Sequence, residues 1–128
     1  MNAPVPAQRK ELETRVLSVV VPAYNEQEVL PEFHRRLAEA LAGIGLAWEV
    51  VYVNDGSRDT TLDLMLALQR DDPRTAVVNL SRNFGKEIAL TAGLDHAHGD
   101  AVVPIDADLQ HPPELLRDLV AKWRDGND

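Results

Sequence analysis

Four short runs of branched aliphatics, at residues 17–21, 48–54, 75–80 and 101–105, constrain the fold of this chain more than any other feature. A strand with one face in water alternates apolar and polar side chains, whereas a near-continuous apolar run suits a strand buried on both faces, as in a parallel sheet. Between the runs the spacing turns helical: Val29, Leu30, Phe33, Leu37 and Leu41; then Leu62, Met65, Leu66 and Gln69; then Ile88, Ala89, Ala92 and a tolerated Gly93. Strand and helix therefore alternate, which implies an α/β fold with parallel strands and right-handed crossovers. After the fourth run, Leu115, Leu116, Leu119, Val120 and Trp123 make an amphipathic stripe. Pro112 and Pro113 open it and Gly126 follows it, which are helix start and stop signals. Pro31 fits only the first turn of a helix, so the first helix is placed from about Leu30 and residues 25–28 are read as loop.

Composition narrows the function. The 128 residues suit one domain, and 13 Lys and Arg against 21 Asp and Glu give a net charge of −8 without a basic stripe, which argues against nucleic acid as partner. With no cysteine there is no disulfide scaffold, thiolate zinc site or cysteine nucleophile. The apolar runs fall far short of the roughly 18 residues that cross a bilayer. Residues 1–15 lack the apolar core of a signal peptide and are read as a disordered leader on a cytoplasmic protein, with the domain at 16–128. A doubly wound sheet would ordinarily continue past the last residue. The expectation is therefore a fragment of a larger enzyme, with further strands beside 101–105 and, without them, an edge that invites self-association.

In open α/β sheets ligands bind beyond the carboxyl ends of the strands, so the residues that follow each run are the candidates. They are Pro22-Ala23-Tyr24-Asn25-Glu26, Asn54-Asp55-Gly56-Ser57-Arg58-Asp59, Ser81-Arg82-Asn83-Phe84-Gly85-Lys86 and Asp106-Ala107-Asp108-Leu109-Gln110-His111. Asp106 and Asp108, one residue apart, can project to the same side, where two carboxylates repel unless a cation or proton sits between them. Oxygen donors of this kind suit Mg²⁺ or Mn²⁺. A solvated loop in which Asp108 or His111 caps the next helix explains the pair equally well. Asp55-Gly56-Ser57 has turn composition, Asp59-Thr60 reads as the N-cap of the second helix, and Arg82 and Lys86 around Gly85 fit either an anion site or a charged loop. His34, His96 and His98 have no ligand spacing and are read as structural, and Trp48 and Trp123 as packing residues.

Taken together and in this order, the four motifs resemble glycosyltransferase family 2. Asn83-Phe84-Gly85-Lys86 and Asp106-Ala107-Asp108-Leu109-Gln110, with Pro112-Pro113-Glu114 beyond, point to its polyisoprenyl-phosphate subgroup, similar to dolichyl-phosphate mannose synthases and undecaprenyl-phosphate sugar transferases. The resemblance implies a GT-A fold, a Rossmann-like, mostly parallel sheet with helices on both faces, of which this chain holds the nucleotide-binding half. It further implies that Pro22, Tyr24 and Glu26 line the base and ribose pocket and that Asp55 accepts hydrogen bonds from the base. Asp106 would stand beside the ribose and diphosphate, Asp108 and Gln110 with Asp106 would hold the divalent cation, and Lys86 with Arg82 would face phosphate charge. Asp106 and Asp108 are the implied catalytic pair. Two positions depart from the commonest pattern: Asn54 and His111 stand where many members carry Asp.

The reaction implied is an inverting transfer from a UDP- or GDP-linked sugar to a polyisoprenyl phosphate in the cell envelope, at the inner face of the membrane. Membrane contact would come through parts outside this chain, a homo-oligomer stays open, and the isolated chain is expected to be inactive. A family 2 enzyme acting on a polysaccharide or soluble sugar is the nearest alternative. A receiver-type signalling domain is a distant one, since the first strand ends without paired acidic residues and the third without a phosphorylatable Asp. Neither G-x-G-x-x-G nor G-x-x-x-x-G-K-[ST] occurs.

Overall fold

The computed structural model describes residues 15–107 and 116–124; the rest of the expected leader, Asp108, Gln110, His111, Pro112, Pro113, Leu115 and Gly126 lie outside the described residues. Four strands, β1 (Val16–Ala23), β2 (Ala47–Asn54), β3 (Thr75–Asn79) and β4 (Ala101–Pro104), alternate with α1 (Leu30–Ala42), α2 (Thr61–Asp71), α3 (Lys86–His96) and α4 (Leu116–Arg124). All pairings are parallel, in the order β3-β2-β1-β4. The chain winds outward from β1 to β3, then returns across the sheet to β4 on the far side of β1. Keeping a right-handed crossover through that reversal moves the connecting helix to the other face. Leu30, Phe33, Leu37 and Leu41 of α1, Met65 of α2, and Leu116 and Val120 of α4 accordingly pack against Leu17, Val19, Val21, Val50 and Tyr52. On the opposite face Ala89 of α3 packs against Val20, Val51 and Val53. A receiver-type sheet would place β1 between β2 and β3. Here β2 lies between β1 and β3, which removes that reading.

Several boundaries and faces differ from expectation, each for a local reason. β1 runs on through Pro22 and Ala23. Val16 and Val20 accept from Asp100 and Ile105 N–H, so the even-numbered residues of β1 turn their backbone groups toward β4. The N–H that Pro22 lacks falls on that side, past the last pair Val20–Pro104, and no ladder bond is lost. β4 was expected to be buried on both faces. Ala101 and Val103 do pack into the main core, but Val102 and Pro104 are exposed, because α3 packs on β1, β2 and β3 and stops short of them.

α1 starts at Leu30 with Pro31 in its first turn, as the sequence predicts. In α2 the inward stripe is Thr61, Leu64, Met65 and Leu68, so the expected Leu66 faces out. In α3 the sheet-facing positions are small. A Cβ added at Gly93 would lie 2.3 Å from Val20 Cγ1 and 2.9 Å from Val53 Cγ2, so glycine lets the helix lie close while Ile88 turns outward. On α4, Leu119 is also exposed, whereas Trp123 is half-buried with the Arg15 guanidinium over its ring. Trp48 is buried beneath Arg74, 3.7 Å from the guanidinium, consistent with a packing role.

Polar ties cross the core where the sequence shows only apolar runs. Fully buried Ser18 donates to Glu49 Oε2 at 2.5 Å and accepts from Gly99 N–H at 2.8 Å. His98 N–H also donates to Glu49. Burial pushes the Glu49 carboxyl up, but the Ser18 and His98 bonds outweigh it and hold the group below its ordinary range. This cluster joins β1, β2 and the start of β4 at the end of the sheet opposite the carboxyl ends. In the main core the buried Tyr52 hydroxyl lies 2.6 Å from His34 Nδ1. Burial pushes the His34 pKa down, against the pull of Asp72, and pushes the Tyr52 phenol up. At neutral pH the imidazole is therefore uncharged, and it shares one hydrogen bond with the neutral phenol. Among the described residues no helix is long and apolar enough to cross a membrane.

Candidate active site

β1 and β4 are neighbours reached through different crossovers, so no short loop joins their ends. Beyond the Val20–Pro104 pair they part, at the point where the strand order reverses, which is where ligands bind in sheets of this kind. A cleft of about 240 Å³ opens there, lined by Pro22, Ala23, Tyr24, Glu26, Asp55, Lys86, Asp106 and Ala107. Six of the expected site residues, Pro22, Tyr24, Glu26, Asp55, Lys86 and Asp106, thus converge from the segments at the carboxyl ends of the four strands. Arg82 stands outside this lining, with its guanidinium 4.6 Å over the Phe84 ring. Asp108 and Gln110 lie outside the described residues. None of the three histidines read as structural lines the cleft: His34 is held by Tyr52, His96 Nδ1 lies 2.9 Å from Ala92 O, and His98 is tied to Glu49.

The loop after β1 is shaped by residues that the sequence offers only as turn formers. Asn25 sits at φ 52°, a conformation Asn tolerates better than most residues. Its N–H donates to Ser57 Oγ at 3.0 Å, and its side-chain oxygen accepts from Arg58 N–H at 2.9 Å. Glu26 N–H donates to Thr61 Oγ1, while Gln27 Oε1 accepts from both the N–H and the hydroxyl of Thr60. The N-cap of α2 is Thr60, which makes no side-chain cap bond; Asp59, one residue before it, accepts from Thr61 N–H at 2.9 Å and ties off the first amide of the helix. With Gln27 N–H donating to Asp59 Oδ2, six bonds tie the segment after β1 to the one after β2 and hold Tyr24 and Glu26 in the cleft wall. The one readable signal was Asn25 itself, a residue type enriched at positive φ.

Asn54 explains its own departure from the commoner Asp. Its amide donates to Asn79 Oδ1 at 2.9 Å across β2 and β3, and its oxygen accepts from Ser57 N–H at 3.2 Å. A carboxylate would supply only the second of these. Asp55 is buried, and its two oxygens accept from Phe84 N–H at 2.8 Å and Gly85 N–H at 3.2 Å. Two amides just ahead of α3 are thus already given to an internal carboxylate.

Across the cleft, Lys86 Nζ lies 2.7 Å from Asp106 Oδ2. The charged lining is otherwise acidic: Glu26, Asp55 and Asp106 against one ammonium. A diphosphate would meet net repulsion here unless a cation came with it, and the Asp106 carboxylate is a hard oxygen donor already holding a positive charge. The donor chemistry fits Mg²⁺ or Mn²⁺. Among the described residues no three acidic or imidazole side chains converge on one point, and the other two expected donors are Asp108 and Gln110.

Comparison with known proteins agrees with this geometry. A bactoprenol glucosyl transferase of Shigella phage SfV is 47% identical over 112 residues, which cover 88% of this chain and 36% of that protein. An undecaprenyl-phosphate 4-deoxy-4-formamido-L-arabinose transferase of Salmonella paratyphi B is 46% identical over 113 residues, 88% of this chain and 35% of that protein. The chain spans about a third of the length of the curated relatives it matches. A mannosyltransferase from Pyrobaculum calidifontis, solved in complex with GDP-Man and Mn²⁺, superimposes with a TM-score of 0.72 at 28% identity, over 87% of this chain and 32% of that one. The parallel sheet with helices on both faces is accordingly of the GT-A type. The family model for glycosyl transferase family 2 matches residues 18–128, and the chain belongs to that family.

Proposed function

We propose that the whole protein is an inverting glycosyltransferase that moves a sugar from a UDP- or GDP-linked donor to a polyisoprenyl phosphate at a membrane surface. The observation that carries this reading is the convergence of Pro22, Tyr24, Glu26, Asp55, Lys86 and Asp106 on one cleft at the reversal of strand order. The activities named for the two relatives support the lipid acceptor, and the GDP-Man and Mn²⁺ of the mannosyltransferase support a nucleotide sugar with a divalent cation.

Pro22, Tyr24 and Glu26 wall in the base and ribose, with Asp55 at the base. Asp106 lies beside the ribose and diphosphate and joins Asp108 and Gln110 as donors for the cation. With the cation held on Asp106, Lys86 would be free to face the phosphates. A bound Mg²⁺ or Mn²⁺ supplies the positive charge that offsets charge developing on the leaving diphosphate. An acceptor phosphate oxygen forms a bond to the anomeric carbon as the bond from that carbon to the diphosphate breaks, and the electron pair departs with the diphosphate. A phosphate monoester has its second pKa at about 6, so the acceptor is already ionised at neutral pH and needs no protein base.

Calorimetric titration with UDP and with GDP, each with Mn²⁺, with Mg²⁺ and with chelator, tests the donor side. Binding should require the cation, and Asp108→Asn should weaken it more than Asp59→Asn, whose carboxylate serves α2. Equal effects would remove the cation site. Transfer of labelled sugar by the longer protein to a polyisoprenyl phosphate, set against a soluble sugar acceptor, tests the other side; transfer to the soluble acceptor alone would overturn the lipid assignment.

A further inference from the structure

We infer that Asp55 is a positioning residue: its carboxylate holds the loop at residues 82–85 and thereby sets where Lys86 presents its ammonium in the cleft. The inference rests on the cleft being a diphosphate site, and goes beyond the base contact proposed above. The Asp55 side chain is buried and grips two consecutive amides, Phe84 N–H on Oδ1 and Gly85 N–H on Oδ2. Gly56 brings the same loop in from behind. At φ 69° it presents no side chain, and a Cβ there would lie 2.3 Å from both Arg82 C and Asn83 N. Backbone thus rests on backbone, and the carboxylate next door takes up the amides.

Arg82, Asn83 and Phe84 are all exposed, so no side chain of these three anchors the loop in the core. Gly85, at φ 100°, is the N-cap of α3 and makes no side-chain cap of its own, so the Asp55 carboxylate supplies the negative charge that a helix start favours. Lys86 is the first residue of that helix, one peptide unit from the gripped amide, and its Nζ reaches Asp106. Charge-assisted bonds to a buried carboxylate are the strong class. Losing both frees the loop and lets the lysine wander. Each Asp55 oxygen keeps a second lone pair for a base, so the two roles are compatible and need an experiment that separates them.

Inorganic pyrophosphate with Mn²⁺ is a probe without a base. If Asp55 acts through Lys86, Asp55→Ala should weaken pyrophosphate binding by roughly tenfold, the loss of about one charge-assisted hydrogen bond, and should do nothing further in a Lys86→Met background. A general loss of stability would not abolish its effect in that background. Unchanged pyrophosphate affinity, with weakened UDP or GDP, would overturn the inference and leave Asp55 a base contact alone. Hydrogen exchange, read on the ligand-free protein, decides the anchoring independently. The Phe84 and Gly85 amides should lose protection in Asp55→Ala, while Asp55→Asn, which keeps one acceptor, should expose one amide and spare the other. Protection unchanged in both variants would refute the anchor. If the wild-type protein bound no pyrophosphate, the reading of the cleft would fail, while the exchange result would still stand for or against Asp55.

Discussion

At Gly93 a single missing methyl group sets the distance between a helix and the sheet. Building it back as Gly93→Ala would drive a carbon to 2.3 Å from Val20 Cγ1, on a strand that cannot retreat because it is central. We expect a loss of about 1–3 kcal/mol, measured as a lower urea midpoint, despite the better helix propensity of alanine. Thr75 poses the opposite case. Its hydroxyl is buried with no hydrogen-bond partner among the described residues, and Thr75→Val keeps the shape while removing the stranded polar atom. The variant should unfold at a higher temperature, by up to about 1 kcal/mol of added stability. Neither effect is legible in the sequence, where Gly93 looks merely tolerated and Thr75 looks like a good strand former. Both depend on what lies opposite, and that is set by register between segments far apart in the chain.

Elements were easier to read than their faces. β2 stands where its aliphatic run predicts and α1 begins where Pro31 requires, because those signals are local. The inward stripe of α2 differs from the one the spacing predicts because Leu62, Leu64, Leu66 and Leu68 are equally apolar, and only packing on β3, β2 and α1 chooses among them. The tie between α1 and β2 was invisible for the same reason: His34 and Tyr52 look like a surface histidine and a strand tyrosine until the helix is laid on the sheet. That tie makes stability depend on pH. Because burial lowers the folded pKa of His34, the unfolded chain takes up its proton first as pH falls. Stability should decline from about pH 7 through the unfolded value of about 6.5 and level off below the folded one. Melting curves across that window should flatten in His34→Gln, and an unchanged slope would show that another group carries the dependence.

Over the whole molecule, the site was legible to the extent that it sits at strand ends, since polar motifs after apolar runs must gather on one edge of a parallel sheet. Its internal wiring was not, because the bonds among Asn25, Gln27, Ser57 and Thr60 link loops 32 and 33 positions apart. The polar cluster at the other edge has a mechanical consequence. Ser18, Glu49 and Gly99 clamp the root of β4, while its tip, at Pro104, leaves the ladder and carries Asp106 into the cleft. With its root tied and the ladder ending at Pro104, we expect β4 to give at its tip first, so that the width of the cleft follows its bending. Backbone exchange should then run faster at Ile105, bonded to Val20 near the tip, than at Asp100, bonded to Val16 at the root. Cutting the clamp with Glu49→Ala should bring the two rates together, turning a hinged wall into a loose one.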